Sequence, residues 1–183
     1  GEDFSEAVPP AILKVCQRLG GVAAGAFAAD GELLGFVFGL TGVEAGRVVA
    51  ATRYPPHGKR GFGGLRAGAY TFEYKQYFAN ANDDILVVLI IETKEALDDI
   101  EAIAAVPGVD VLMIGTFDLY LSLGLDPFQQ PLPEGERAIE QILAAGRKFK
   151  CAIGGAYGSP ADLRKRQEQG FRMLAFTDYT LLA

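Results

Sequence analysis

The 183-residue sequence lacks the features that mark several classes of protein. Its longest aliphatic run, residues 85–91, has seven residues, against the roughly 20 that a membrane-spanning helix needs, so we expect no membrane span. The chain has a net charge of −6 and no block of Lys and Arg, which disfavours nucleic-acid binding because phosphates repel an acidic surface. Cys16 and Cys151 form no C-x-x-C pair and predict buried, reduced thiols. With no basic and apolar leader visible, a cytoplasmic location is expected.

What the sequence does contain is enough apolar material for one folded domain, since half of its residues are hydrophobic and 22% are charged. In the second half, short apolar segments alternate with helical patterns. Strands are predicted at 85–91, 110–114, 151–155 and 171–177, and helices at 94–105, 134–149 and 161–169. Thr93 and Ser159 are placed to cap two of these helices. Apolar strands separated by helices are typical of a parallel sheet that is covered on its faces.

The first part of the chain follows a different pattern. A short helix is predicted at 8–19, followed by two strands, at 22–29 and 32–40, around the turn dipeptide Asp30-Gly31. Helices at 43–52 and 70–79 lead into the alternating part. We therefore divide the chain into residues 1–44 and 45–183, but the first piece is too small to fold alone.

Two acidic residues each follow a predicted strand. Glu92 ends the first parallel strand, and Asp118 follows Gly115 after the next one. Because ligands bind at the carboxyl ends of parallel strands, the pair predicts a site for Mg²⁺ or Mn²⁺ there. The alternatives are that Glu92 only favours the start of a helix and that Asp118 caps a turn.

A glycine-rich segment at 54–64 carries further polar residues. Arg60, together with Arg66, is a candidate for binding an anionic group of a substrate. His57, the only histidine, more often represents a solvated loop residue than a base. Cys151 has no visible base partner and is expected to be a buried thiol.

Four segments of the chain resemble one enzyme family. They read ATRYPPHGKRGFGGLRA (51–67), IIETKEALDDIEAIAAVPGVD (90–110), MIGTFDL (113–119) and QGFRMLAFTDYTLL (169–182). Together they resemble the HpcH/HpaI class II pyruvate aldolases, which fold as (β/α)₈ barrels. The resemblance implies that Glu92 and Asp118 bind the divalent metal. It also implies that the backbone of Gly115, Thr116, Phe117 and Asp118 borders the bound 2-oxo acid.

The chain also departs from that family. The matching region supplies only the last four strands of the barrel, and no segment matches the general-base histidine or the carboxylate-binding arginine of the early strands. Ile90 stands where the family has a glutamine, and Tyr120 stands where the family usually has a small hydroxylated residue. Catalysis is therefore expected to be weak or lost.

Residues 1–44 resemble a different family, the start of GNAT-type acetyltransferases, which implies a chimera. An alternative is that residues 32–41 replace the fourth barrel strand. The predicted fold is α/β: a parallel half-barrel (a partial TIM barrel with the last four βα units) extended by an N-terminal helix and an antiparallel hairpin.

The predicted function is an aldolase-family protein that binds Mg²⁺ or Mn²⁺ and a 2-oxo acid such as pyruvate. The alternatives are a non-catalytic scaffold with a vestigial metal site and, third, an acetyltransferase-like protein. A half-barrel leaves an apolar face open, so we expect a homo-oligomer, or the chain's own hairpin and first helix, to cover it.

Overall fold

The computed structural model describes residues 24–27, 33–37, 41–62 and 74–176. The strands are β1 (Ala24–Phe27), β2 (Leu33–Val37), β3 (Leu86–Ile91), β4 (Val111–Ile114), β5 (Ala152–Tyr157) and β6 (Met173–Phe176). The helices are α1 (Gly42–Thr52), α2 (Tyr74–Asp84), α3 (Lys94–Asp98), α4 (Ile100–Ala104), α5 (Thr116–Ser122), α6 (Pro133–Phe149) and α7 (Pro160–Glu168), with a 3-10 helix at Pro127–Gln129. The helix predicted at 8–19, Cys16, Arg66 and the turn at Asp30-Gly31 lie outside the described residues.

The described strands form one sheet in the order β2-β1-β3-β4-β5-β6. Strands β3 to β6 are parallel, which confirms the predicted four-stranded parallel unit. Strand β1 is antiparallel to both β2 and β3. The alternative that residues 32–41 replace the fourth barrel strand is wrong, because among the described strands β2 pairs with β1 at the outer edge of the sheet and not with β3.

Local sequence signals explain where several helices begin. Thr41 and Glu44 form a capping box at the start of α1. The Thr93 hydroxyl accepts a hydrogen bond from the Ala96 amide, and the Ser159 hydroxyl accepts one from the Asp162 amide. Both predicted caps are therefore confirmed.

Three helical regions differ from the prediction. The helix expected at 94–105 is broken into α3 and α4 at Asp99, whose carboxylate accepts a hydrogen bond from the Gly42 amide at 2.7 Å. The helix expected at 70–79 is observed at Tyr74–Asp84, and the segment after β4 forms α5 rather than a simple turn. These differences arise from tertiary contacts and helix ends, which local patterns define poorly.

The two faces of the parallel sheet are unequal. Leu89, Leu112 and Ile153 are in register on one face, are almost fully buried, and belong to the core formed with the helices. On the other face, Ile90 and Met113 are in register and only half-buried. The carboxyl ends of all four strands lie at one edge of the sheet, and the candidate site is found there. Among the described helices, none has the length and apolar character needed to cross a bilayer.

Candidate metal and substrate site

Glu92 lies directly after β3 and against the backbone of Gly115, at the end of β4. The Gly115 amide donates to the Ile91 carbonyl at 3.0 Å, which continues the ladder between the two strands. A Cβ atom added at Gly115 would lie 2.9 Å from Glu92 Cβ and 3.1 Å from Glu92 Oε2. Glycine is therefore required at this position because the Glu92 side chain packs closely against its backbone, and any larger residue would displace that side chain.

Asp118 lies in the first turn of α5 and is exposed. One turn later on the same side of the helix, Ser122 Oγ accepts a hydrogen bond from the Lys94 amide at 2.7 Å. Since Lys94 is two residues after Glu92, this side of α5 is turned toward the end of β3. Both predicted acids thus lie at the carboxyl edge of the sheet, on adjacent connections.

The alternative role of Asp118 as a helix cap is wrong. The N-cap position of α5 is Gly115, and Asp118 is the third helical residue. Its negative charge is still favourable there because of the helix dipole.

The donor chemistry of the two acids fits a hard divalent cation. Among the residues that the structure describes, no group of three or more His, Cys, Asp or Glu side chains is arranged to hold a metal. Two carboxylates, with water and a bound ligand completing the coordination, match the way Mg²⁺ is usually held. Metal binding by Glu92 and Asp118 stays a prediction.

Thr116 and Phe117, which were expected to border a substrate, face different surroundings. Thr116 is 7% exposed, and its hydroxyl lies beside the buried Tyr157 hydroxyl. Phe117 is 53% exposed and packs edge-to-face on Phe128, with ring centroids 5.7 Å apart. Thr116 is thus buried behind the turn, and Phe117 lies on its surface.

The backbone contacts of Arg60 lie near the start of β3, not at the carboxyl edge of the sheet. Its amide donates to the Arg53 carbonyl, and Arg53 Nη1 donates to the carbonyl of Ile85 at the start of β3. The Arg60 guanidinium lies 4.7 Å from the centre of the Tyr54 ring. Glu92 is seven residues further along β3 than Ile85, about 23 Å for an extended strand. The predicted substrate contact of Arg60 therefore has no support from its neighbours.

The remaining candidates behave as solvated or buried residues. His57 is exposed, and its amide donates to the Tyr54 carbonyl. Cys151 is buried, and its thiol lies 3.4 Å from the Ala104 carbonyl oxygen. Burial raises the pKa of the Cys151 thiol, and the charge of Asp110 adds to this effect. Cys151 is therefore poorly suited to act as a nucleophile.

A largely buried ion pair joins the helices α6 and α7 and carries no signal in the sequence. Arg166, 5% exposed, donates to both carboxylate oxygens of Glu136, at 3.0 and 2.6 Å, and to Gln169 Oε1 at 2.9 Å. Burial would raise the pKa of Glu136, but hydrogen bonds and charge from Arg166 hold it below its usual value. The partners are 30 residues apart, so no local motif marks them.

Tyr120, a departure from the resembling family, is accommodated by a glycine. The ring is fully buried, and its hydroxyl accepts a hydrogen bond from the Leu132 amide at 3.2 Å. A Cβ atom at Gly135 in α6 would lie 2.1 Å from the ring. The large side chain therefore occupies space that only glycine at position 135 leaves open.

Comparison with known proteins identifies what the chain is similar to. Residues 40–179 match the family model described as HpcH/HpaI aldolase/citrate lyase. The hydroxypyruvate/pyruvate aldolase of Chromohalobacter salexigens is 37% identical over 138 residues, covering 74% of this chain and 53% of that protein. The 5-keto-4-deoxy-D-glucarate aldolase of Klebsiella pneumoniae is 36% identical over 135 residues, covering 74% and 52%.

The fold comparison gives the same result. A crystal structure of an HpcH/HpaI aldolase/citrate lyase family protein from Burkholderia cenocepacia superposes with a TM-score of 0.71 at 36% identity, covering 78% of this chain and 57% of that one. The chain thus spans about half the length of the curated relatives that it matches. The acetyltransferase resemblance of residues 1–44 receives no support from these comparisons.

Proposed function

Because the chain belongs to the HpcH/HpaI aldolase/citrate lyase family, we propose that Glu92 and Asp118 bind a divalent cation together with a 2-oxo acid. The observation that carries the proposal is the contact of the Glu92 carboxylate with Gly115, three residues before Asp118. The names of the relatives support a 2-oxo acid, since they include a hydroxypyruvate/pyruvate aldolase. Mg²⁺ and Mn²⁺ suit the carboxylate ligands.

The proposed reaction is retro-aldol cleavage of a 4-hydroxy-2-oxo acid. The cation would supply Lewis acidity toward the 2-oxo acid. Glu92 and Asp118 would hold it, and the backbone from Gly115 to Asp118 would border and orient the oxo acid. No segment of this chain resembles those of the family that carry the general base and the carboxylate-binding arginine. We expect turnover to be slow, because each such group contributes orders of magnitude to the rate.

Calorimetric titration tests the proposal without requiring turnover. Mn²⁺ should bind the wild-type protein, and pyruvate should bind only when Mn²⁺ is present. Glu92→Gln and Asp118→Asn should each weaken Mn²⁺ binding at least tenfold, about 1.4 kcal/mol. Glu95→Gln is the matched control, because Glu95 is an exposed carboxylate in the neighbouring helix. Wild-type affinity for Mn²⁺ in the Glu92 and Asp118 variants would overturn the proposal.

A second candidate is a folded protein without catalysis, with a vestigial metal site. Two observations favour it. The chain covers only about half the length of the relative from Chromohalobacter salexigens, and the backbone contacts of Arg60 lie near the start of β3. Metal-dependent release of pyruvate from a 4-hydroxy-2-oxo acid, lost in Glu92→Gln, would exclude it.

We also propose that the chain forms a homo-oligomer. The support is the half-buried apolar sheet face that carries Ile90 and Met113, since such faces are normally covered in folded proteins.

A further inference from the structure

One hydrogen bond joins the two connections that carry the proposed metal ligands. The Lys94 backbone amide donates to Ser122 Oγ at 2.7 Å, across 28 residues of sequence. Lys94 is the first residue of α3 and comes two residues after Glu92. Ser122 is the last residue of α5 and lies one helical turn after Asp118. The bond therefore ties the segment that carries one acid to the helix that carries the other.

This bond also pairs an amide that α3 cannot pair within itself. The first amides of a helix have no partner inside the helix and need an acceptor from elsewhere. The Thr93 hydroxyl, at the N-cap, accepts from the Ala96 amide. Ser122, from a different helix, accepts from the Lys94 amide. The beginning of α3 is thus capped partly by its own residue and partly by α5.

A second hydrogen bond joins the same two connections at the other end of α5. The Gly115 amide donates to the Ile91 carbonyl at 3.0 Å, which holds the beginning of α5 at the end of β3. Glu92 directly follows Ile91, and its carboxylate lies against Gly115. Asp118 lies in the chain between Gly115 and Ser122. The part of α5 that carries this acid is therefore held at both of its ends.

Apolar packing holds α5 in the core but does not define its distance from α3. Leu119 and Tyr120 are fully buried, whereas Asp118 and Ser122 are exposed. Hydrophobic contacts are not directional, but a hydrogen bond depends on both distance and angle. The hydrogen bond from the Leu132 amide to the Tyr120 hydroxyl joins α5 to the beginning of α6. The bond to Ser122 is thus a directional contact on the side of α5 that carries Asp118.

We propose that Ser122 is a positioning residue, which acts through the Lys94 amide to fix the separation of the segments that carry Glu92 and Asp118. This inference rests on the proposed function, because it requires these two carboxylates to hold the cation. A fixed separation matters most for Mg²⁺, which needs near-ideal octahedral geometry with bonds of about 2.0–2.1 Å. Ca²⁺ accepts longer bonds and irregular geometry. Ser122 therefore contributes to the preference for the smaller cation as well as to affinity.

Ser122→Ala tests this role, because it removes the acceptor and leaves a residue that favours helix at an exposed position. Binding of Mg²⁺ and of Ca²⁺ can be measured by calorimetric titration, directly or in competition with Mn²⁺. Ser122→Ala should weaken Mg²⁺ binding about fivefold and Ca²⁺ binding by less than about twofold, so that the preference for Mg²⁺ falls. Ser122→Thr, which keeps the hydroxyl group, should retain the wild-type affinities and their ratio.

Ser159→Ala is the matched control. The Ser159 hydroxyl also accepts a hydrogen bond from a backbone amide at the beginning of a helix, that of Asp162 at 3.1 Å. Its helix, α7, carries neither of the proposed ligands. Ser159→Ala should lower the thermal unfolding midpoint, as the loss of an N-cap does, and should leave the affinities for Mg²⁺ and Ca²⁺ unchanged.

The outcomes separate the positioning role from the proposed function. If Glu92→Gln and Asp118→Asn weaken Mn²⁺ binding but Ser122→Ala keeps the wild-type ratio of Mg²⁺ to Ca²⁺ affinity, the positioning role is wrong and the proposed function stands. An equal loss of affinity for both cations in Ser122→Ala would also overturn the role, as would a ratio that falls as far in Ser159→Ala. If the wild-type protein binds none of these cations, the proposed function fails and the positioning role fails with it.

Discussion

At Gly115 the absence of a side chain leaves room for the carboxylate of Glu92, which follows the neighbouring strand β3. The hydrogen atom of glycine leaves room for Glu92 Oε2, which would be 3.1 Å from any Cβ atom at this position. The backbone angle of Gly115, φ −82°, is accessible to other residues. The requirement for glycine thus comes from the contact with Glu92 and not from the backbone conformation.

We predict that Gly115→Ala weakens Mn²⁺ binding by about tenfold or more. The added methyl group must push Glu92 away, and small-to-large changes in packed sites typically cost about 1–3 kcal/mol. The dissociation constant can be followed by the electron paramagnetic resonance signal of free Mn²⁺. Gly46→Ala is the control, since a Cβ atom at that position meets nothing within 4 Å. Unchanged Mn²⁺ affinity in Gly115→Ala would show that the Glu92 contact does not matter for the metal.

The sequence indicates only those site residues that a local pattern marks, and it does not indicate residues whose surroundings depend on distant parts of the chain. The positions of Glu92 and Asp118 after apolar strands could be predicted because that is a local pattern, and their metal binding stays a prediction. The surroundings of Arg60 could not be predicted, because they depend on Arg53 reaching Ile85, 32 residues away. The Glu136–Arg166 pair was missed because its partners are 30 residues apart in the sequence.

Among the elements, helices α6 and α7 are joined by the Glu136–Arg166 pair. Glu136 lies in the first turn of α6, and Arg166 near the end of α7. The bidentate geometry and the burial of Arg166 make this the strongest described contact between the two helices. It also supports the ring of Tyr157 at the end of β5.

This pair makes stability depend on pH in a predictable direction. The folded state holds the pKa of Glu136 below its ordinary value of 4.5. The unfolded state then binds the proton more readily, so the contribution of the pair is present above about pH 4.5 and is lost as the pH falls through the folded pKa. Urea unfolding at pH 6 should show Glu136→Gln to be less stable than wild type by about 2 kcal/mol, and the difference should shrink toward pH 3.

Glu134→Gln provides the comparison for this experiment. Glu134 lies in the same first turn of α6 but pairs with Arg137 at the surface, and such pairs contribute about 0–1 kcal/mol. A Glu136→Gln effect no larger than that of Glu134→Gln, or one that stays constant from pH 6 to pH 3, would contradict the assignment.

The order and type of most elements could be predicted, and their ends could not. The apolar strand β3 and the caps at Thr93 and Ser159 are encoded locally. The break between α3 and α4 is not, because it accompanies a hydrogen bond from Gly42 to Asp99 across 57 residues. The antiparallel position of β1 beside β3 likewise depends on tertiary pairing.

For the whole molecule, the unequal faces of the sheet lead to a prediction about assembly. Light scattering should give a mass above that of a monomer, because the face that carries Ile90 and Met113 is only half-buried. Met113→Glu should shift the protein toward the monomer, since charge at an apolar interface is strongly unfavourable. The control Val43→Glu should leave the mass unchanged. Val43 is also apolar and is 66% exposed, but it lies on helix α1 and not on this face of the sheet. A wild-type monomer at all concentrations would refute the oligomer.

The packing of Tyr120 on Gly135 also constrains which residues can occupy these two positions together. Tyrosine at 120 with alanine at 135 would force overlap of ring and methyl group, whereas glycine at 135 leaves room for the ring. A redesign of this chain that places alanine in α6 at position 135 therefore has to replace Tyr120 with a smaller residue in the same step.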